Sequence, residues 1–349
     1  MKVFVAEKPG TVRMIEEPKP VPGPGEVVSR VVYSGICGTD LGIVSGKVSF
    51  AVDGRAKYPV HIGHEWSGVV ESVGAGVTRF APGDRVVSDN GISCGKCQNC
   101  LSGDIYRCAY GRSLGTINTW DYGSFAEYIL IPERHMFHLD ERVSFEQAVL
   151  IEPGTIGLAG VRAIGVGEGD TVLVTGTGAV GLGAVALAKQ SGAAKVIAAG
   201  RKPSKLDIAK KVGADFAVNM AAEDAARAVL GETGGLGVSK IIEASGSAEA
   251  FDKALDCAGA KCRVAMLGFY EGRMPPGFNL DRIVLNNLNI QGITGAPVVT
   301  EVMDMMAKGE IDLSPLVTHI FPSDRGIEAF AAAAENSGDK VKILIKFSE

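Results

Sequence analysis

The stretch GDTVLVTGTGAVGLGAVALAKQSGAAKVIAAG (residues 169–200) limits the possible folds more than any other part of the chain. It reads as an apolar β-branched run, a glycine turn, a long Ala-rich helical run and a second apolar run. Two parallel strands need a crossover between them, so this order predicts a βαβ unit inside a parallel sheet. KLDIAKKVGADFAV, VSKIIEASGS and KCRVAMLGF continue the alternation of helix and strand patterns downstream. The predicted class is therefore α/β, with a doubly wound parallel sheet in this half.

Gly176, Gly178 and Gly181 spell G-x-G-x-x-G where the first strand meets the helix. The first glycine permits a tight turn, the second lets the backbone approach a pyrophosphate, and the third lets the helix pack close to the strand. Unpaired N–H groups and the helix dipole then favour an anion at the helix start. Alone, such a motif in a chain with 46 glycines is a glycine-rich turn. Inside a full βαβ unit it predicts a dinucleotide site, and Val180 is counted with the three glycines. At the end of the second strand an NAD site would place Asp or Glu on the ribose 2′-hydroxyl. Here the chain reads AAGRKPSK (198–205): Gly200 withholds the carboxylate, and Arg201, Lys202 and Lys205 offer donors to a 2′-phosphate. The turn predicts NADP ahead of NAD; the alternative is a solvated basic turn.

Residues 1–150 have another texture. GEVVSRVVYSGIC (25–37) and WSGVVESVGAGVTRFAPGDRVV (66–87) are β-branched runs cut by Gly, Pro and Asp, as in a barrel-like β-domain. Near residue 298 the pattern shifts again, through VVTEVMDMMAKGEI and SDRGIEAFAAAAE to a closing strand KVKILIKF. The expected division is a β-rich domain of residues 1–154 completed by 298–349, with residues 155–297 forming the nucleotide domain.

Four cysteines, Cys94, Cys97, Cys100 and Cys108, crowd into CGKCQNCLSGDIYRC. The N-terminus MKVFVAEKPG is too short in apolar residues for a signal peptide. No run approaches the roughly 20 apolar residues of a membrane span. A reducing cytoplasm is the expected setting, where disulfides are rare, and the total of seven cysteines is odd. A CxxC redox pair would use two of the four. A tetrahedral zinc ion uses all of them and, having no open position, would staple a lobe without doing chemistry. The net charge of −5, with Lys and Arg scattered, argues against nucleic-acid and membrane partners.

A second metal set lies in GICGTDLG (35–42), HIGHEWSG (61–68) and LIEPGTIG (150–157). Cys37, His64, Glu65 and Glu152 are all zinc-ligand types, and a site short of four strong protein ligands admits water or substrate. Gly63-His64-Glu65-x-x-Gly68, followed by Gly74 and Val77, resembles the signature of zinc-containing alcohol dehydrogenases of the medium-chain dehydrogenase/reductase superfamily. Cys37-Gly-Thr-Asp40, the four-cysteine lobe and the downstream glycine motif fall in that family's order over essentially the whole chain. Glu152 in IEP, where alcohol dehydrogenases carry a Cys, resembles the sorbitol and threonine dehydrogenase branch.

The resemblance implies a GroES-like β-barrel catalytic domain, a Rossmann domain and a homotetramer or homodimer. It implies a catalytic zinc on Cys37, His64 and a carboxylate from Glu65 or Glu152, beside the structural zinc on the four cysteines. Asp40 would orient His64, or merely cap a turn. The ion would acidify a substrate hydroxyl, Thr39 would carry its proton away, and hydride would pass to nicotinamide. That branch carries a His five residues after the zinc Cys, where this chain has Gly42; His61 is a candidate substitute or a satisfied surface histidine. Phe50 and Trp120 are candidate pocket residues, and Cys257 and Cys262 are expected to pack.

The implied function is oxidation of a secondary alcohol (polyol, sugar alcohol or cyclitol) to a ketone, or the reverse, with NADP. The alternatives are threonine 3-dehydrogenase-like oxidation of an amino alcohol with NAD, zinc-independent enone reduction, and a non-catalytic NADPH-binding protein. Relatives of the last two kinds typically lack the zinc ligands that this chain keeps.

Overall fold

In the computed structural model, the apolar runs between residues 171 and 292 form one six-stranded sheet in which every pairing is parallel. Residues 1–118, 120–275, 277–335 and 338–348 are described. Residues 336, 337 and 349 of the expected 298–349 segment lie outside them. Across the sheet the order is Phe216–Asn219, Lys195–Gly200, Thr171–Thr175, Val238–Glu243, Ala258–Met266 and Asn289–Gly292. The chain works outward from Thr171–Thr175 in one direction, then returns to its other side with Val238–Glu243. The crevice outside the carboxyl ends of those two strands is where open α/β sheets bind ligands. Val172, Val174, Val196, Ile197, Ile241 and Ile242 are almost fully buried, as strands covered on both faces require.

The first lobe is built on the strand Glu26–Gly35. It pairs antiparallel with Glu65–Val73 on one side and with the final strand Lys342–Lys346 on the other. It also pairs with Tyr128–Pro132. Val317–Pro322 adds a parallel strand to Lys342–Lys346, so the chain's last segment completes this sheet. The same return is seen in the core, where Phe4, Phe50 and Phe125 meet Phe330 and Ile343. The Phe125 and Phe330 rings meet edge to face at 5.0 Å.

The helix Ile151–Ala163 joins the lobes, and the expected division at 154/155 falls inside it. Its sequence IEPGTIGLAGVRA places glycine at every third position of its inner face. A Cβ on Gly154 would meet Val302 at 2.8 Å, one on Gly157 the Ala184 backbone at 3.1 Å, and one on Gly160 the Leu267 side chain at 3.0 Å. Glycine costs a helix interior about 1 kcal/mol relative to Ala. Close packing against the helix Ala179–Gln190, which starts at the glycine motif, offsets that cost. Overpacking such a contact costs about 1–3 kcal/mol. Gly157→Val should therefore lower the thermal midpoint by several degrees in a differential scanning measurement, with both sheets retained by circular dichroism.

Candidate active site

The thiols of the four-cysteine loop converge. Cys94 and Cys100 sulfurs stand 3.9 Å apart, Cys97 and Cys100 3.4 Å, and Cys97 and Cys108 3.9 Å. A disulfide needs about 2.05 Å, whereas zinc–sulfur bonds of about 2.3 Å in a tetrahedron put sulfurs roughly 3.8 Å apart. Backbone N–H groups point at the sulfurs: Cys94 donates to Cys108 Sγ at 3.2 Å and Cys97 donates to Cys94 Sγ at 3.3 Å. N–H groups of Cys100 and Ala109 hold the Cys97 thiol down at about 6. Burial pushes the Cys108 thiol the other way, up to about 11; four sulfurs at these separations fit a structural zinc ion, which holds thiolates.

The second set is brought together by a single carboxylate. Cys37 caps the helix Gly38–Ser45, and Asp40 Oδ2 accepts the Cys37 backbone N–H at 2.9 Å. Asp40 Oδ1 accepts the Gly63 N–H at 3.1 Å, tying the helix start to the turn before His64. Gly63 has φ +100°, and a Cβ there would lie 2.6 Å from Phe125. The ligand atoms of Cys37, His64 and Glu65 all lie within 4.8 Å of one another. Both readings of Asp40 hold in part: it caps the helix, and its Oδ1 sits 3.5 Å from His64 Nδ1 without the alignment of a hydrogen bond. His64 Nδ1 and Glu65 Oε1 are buried and lack a hydrogen-bond partner. Buried polar atoms are seldom left so; Nδ1 faces Asp40, and a thiol, an imidazole and a carboxylate within 4.8 Å of one another are a zinc-type donor set. The residues fit a zinc ion. Burial alone would depress the His64 pKa, but the adjacent Asp40 carboxylate and Cys37 sulfur hold it well above its ordinary value.

Glu152 stands outside this three-residue cluster but close to it. Burial pushes its carboxyl up to about 7, with His64 pulling down and Glu65 pushing up. Asn90 Nδ2 donates to Glu152 Oε1 at 3.2 Å. Sequence reasoning missed Asn90, and it missed Lys342 altogether. Lys342, on the final strand, donates through Nζ to Glu65 Oε2 and to the Ile36 carbonyl at 3.2 Å. Both side chains of the Lys342–Glu65 pair are almost fully buried. Burial would lower the Lys342 pKa, yet Glu65, Cys37 and Glu152 raise it.

Other candidates fall into place around the cluster. Thr39 lies half-buried on the first turn of the Gly38–Ser45 helix. A Cβ on Gly42 would meet Val48 at 3.0 Å, so a side chain at this position would press on Val48. His61 is not available as its substitute: its Nε2 is paired with the Glu17 carboxylate at 3.0 Å. Trp120 donates Nε1–H to the Leu130 carbonyl, with the Arg112 guanidinium over its ring, and lines a cleft with His61 and Arg112. Phe50 is buried, edge-on to Phe269 of the other lobe at 5.9 Å. Cys257 and Cys262 are buried in the nucleotide lobe, and burial pushes their thiols up to about 12, as expected of packing residues.

At the other site, the glycine motif does what its spacing requires. Gly176 has φ +98°, and a Cβ there would lie 2.7 Å from the Ser245 N. Gly178 caps the helix Ala179–Gln190, and a Cβ on Gly181 would strike the Gly176 carbonyl. A cleft of about 780 Å³ opens here, walled by Gly176, Gly178, Gly200, Arg201, Lys202 and Lys205 on one side and Ser245 and Ser247 on the other. Val180 and Gly181 stand outside its lining, Gly181 acting through packing. A Cβ on Gly200 would meet Thr177 Cγ2 at 2.6 Å, so a side chain there would have to displace Thr177. Desolvation, then Lys202 and Arg201, lower the pKa of half-buried Lys205.

Comparison with known proteins now places the molecule. Residues 23–141 match the alcohol dehydrogenase GroES-like domain, and residues 179–308 match the zinc-binding dehydrogenase domain. An L-threonine 3-dehydrogenase from Pyrococcus horikoshii is 34% identical over 99% of both chains. The chain belongs to the zinc-type medium-chain alcohol dehydrogenase family. A sorbitol dehydrogenase from Halalkalibacterium halodurans is 32% identical, again over 99% of both chains. The NADP-bound structure of a protein from Sinorhizobium meliloti 1021, assigned as a zinc-binding dehydrogenase, superposes with TM-score 0.89 at 30% identity, covering 99% of each chain. The chain is thus an NAD(P)-dependent zinc alcohol dehydrogenase with a GroES-like domain and a Rossmann domain. No helix among the described residues is long and apolar enough to cross a membrane.

The Lys342–Glu65 pair makes a direct test of the site's electrostatics. Removing one partner of a buried pair costs about 3–5 kcal/mol, because the other charge is left unpaired. Lys342→Met should lower unfolding free energy by that order in urea titrations of zinc-stripped protein, and Lys342→Arg should lower it far less.

Proposed function

We propose that the enzyme oxidises a secondary alcohol of the polyol, sugar alcohol or cyclitol class to a ketone, or runs the reverse, using NADP. The observation that carries the dehydrogenase chemistry is the buried cluster of Cys37, His64 and Glu65 with two polar atoms left unpartnered. Residues 1–154 with 298–349 would form the metal-holding domain, and 155–297 the nucleotide domain. Cys37, His64 and one carboxylate would hold the catalytic ion, with Glu65 favoured by the geometry and Glu152 adjacent. When bound, zinc supplies Lewis acidity to the substrate oxygen and the nicotinamide ring accepts or donates hydride. Asp40 holds the Cys37 and Gly63 backbones in register, which keeps the donor atoms together. Thr39, on the first turn beside Cys37, would take the proton from the substrate hydroxyl.

NADP use is supported by Gly200 wedged against Thr177, with Arg201, Lys202 and Lys205 beside it. A second reading, oxidation of an amino alcohol with NAD, draws on the relatives named L-threonine 3-dehydrogenase. A panel of secondary alcohols, polyols, inositols and L-threonine, each with NADP and NAD, separates the two by the rise in reduced-cofactor absorbance. We further propose a cytoplasmic homodimer or homotetramer. The edge strand Asn289–Gly292 and exposed Leu280, Val284 and Leu285 offer a surface for a second copy.

Two variants test the reading. His64→Ala should abolish turnover and lower zinc content from two ions per chain to about one, while melting behaviour and dinucleotide binding persist; near-wild-type turnover would sink the metal assignment. Arg201→Ala should raise the Michaelis constant for NADP by about 10- to 100-fold, since a hydrogen bond to a charged group contributes about 1.5–3 kcal/mol. Turnover should hold, because the contact is remote from hydride transfer. A wild-type enzyme that already prefers NAD would overturn the NADP assignment.

A further inference from the structure

One buried carboxylate takes no part in the metal chemistry and lies at the switch point of the parallel sheet. Glu243 ends the strand Val238–Glu243 and is fully buried. No ion pair reaches it among the described residues; it is surrounded by hydrogen-bond donors. Ser245 donates to Oε1 through its backbone N–H at 2.8 Å and through its hydroxyl. Thr175, at the end of the neighbouring strand, donates to Oε1 at 3.4 Å. The Gly246 N–H, at 3.4 Å, and the Tyr270 hydroxyl donate to Oε2. Three turns at the carboxyl ends of adjacent strands therefore meet on one side chain.

These turns are packed as tightly as glycine permits. A Cβ on Gly268 would lie 2.4 Å from the Gly246 N, and one on Gly246, whose φ is +65°, would lie 2.6 Å from the Phe269 carbonyl. Gly176, the first glycine of the nucleotide motif, presses on Ala244 and Ser245 in the same way. Ser245 then accepts the Ser247 N–H at 3.1 Å, and Ser247 caps the helix Ala248–Asp256. Ser245 and Ser247 line the wall of the nucleotide cleft opposite the basic turn. Tyr270 is held from behind by the Phe251 ring at 5.9 Å.

We propose that Glu243 is a positioning residue for the cofactor. Its carboxylate gathers the donors of Ser245, Gly246 and Tyr270, and so fixes the wall of the nucleotide cleft against the Gly176 turn. This rests on the nucleotide-binding reading above. Two of its donors are backbone N–H groups that cannot turn away, so an acceptor is needed on both oxygens. A glutamine in its place keeps the size but sets an amide donor against donors. The Tyr270 hydroxyl is a side-chain donor to Oε2 that can be removed without touching the backbone or the cleft lining.

The test uses the zinc-loaded enzyme and titrates NADP and NAD by isothermal calorimetry against wild type, Glu243→Gln and Tyr270→Phe. Each variant should weaken both dinucleotides measurably, by about threefold or more, because the cleft wall it holds is displaced; neither side chain lines the cleft itself. Turnover at saturating cofactor should stay within about twofold, since the contact holds ground and transition states alike. Tyr270→Phe should keep its thermal midpoint within about 3 °C, which separates positioning from loss of fold. Wild-type binding with both variants unshifted overturns the tether while leaving the nucleotide site intact. A lowered midpoint with unchanged affinity in Tyr270→Phe overturns it as well. Failure of wild type to bind either dinucleotide overturns the nucleotide reading itself, and the tether with it.

Discussion

The buried pair of Lys342 with Glu65 is the contact on which the metal-holding lobe turns. It joins residues 277 positions apart, and a second bond from the same ammonium reaches the Ile36 carbonyl, 306 positions away. Two charges are removed from water only where hydrogen bonds and mutual attraction compensate them. That demand fixes the final strand beside Glu26–Gly35, which in turn holds Cys37 at the strand's exit. Were the last strand absent, Glu65 would be a buried, unpaired carboxylate next to His64 and Glu152. The chain's end thus completes the electrostatics of a site whose donors lie near its beginning.

A different logic governs the nucleotide lobe, where the controlling quantity is distance between backbones. Gly176, Gly181, Gly246 and Gly268 bring strand ends closer than any side chain allows. Gly154, Gly157 and Gly160 do the same for the helix between the lobes. Close approach leaves backbone N–H groups crowded at the sheet's crevice, and such groups need acceptors. Glu243 supplies them from within the protein on one side of the crevice, and the Ala199 carbonyl accepts the Gly176 N–H on the other. These glycines sit at contacts, and the contacts at Gly176, Gly246 and Gly268 shape the cleft.

Much of this was legible in the residues alone because the signals were local. Cys94 to Cys108 span one loop, and Gly176 to Gly181 one turn, so covalent spacing already confines their atoms. The βαβ alternation and the closing apolar strand were readable from periodicity for the same reason. Less legible were features whose partners are remote. Lys342 in KVKILIKF looks like any strand lysine, and Glu243 in KIIEASG like a polar strand end; nothing near either announces a buried partner. Asn90 gave no signal. His61 was readable only as a histidine near His64, and its pairing with Glu17 depends on how the Val60–His61 strand meets the first hairpin.

From residue order alone came the parallel sheet, the dinucleotide turn, the thiolate cage and the metal-ligand types, because each follows from side-chain chemistry at short spacing. The folded arrangement alone gathered Glu65 with Cys37 and His64 and left Glu152 outside that cluster, its carboxyl pushed up to about 7. It alone set Val48 against Gly42 and Thr177 against Gly200. The reason is physical: burial, charge pairing and steric exclusion depend on which distant atoms share a few ångströms, and strand pairing over hundreds of residues decides that.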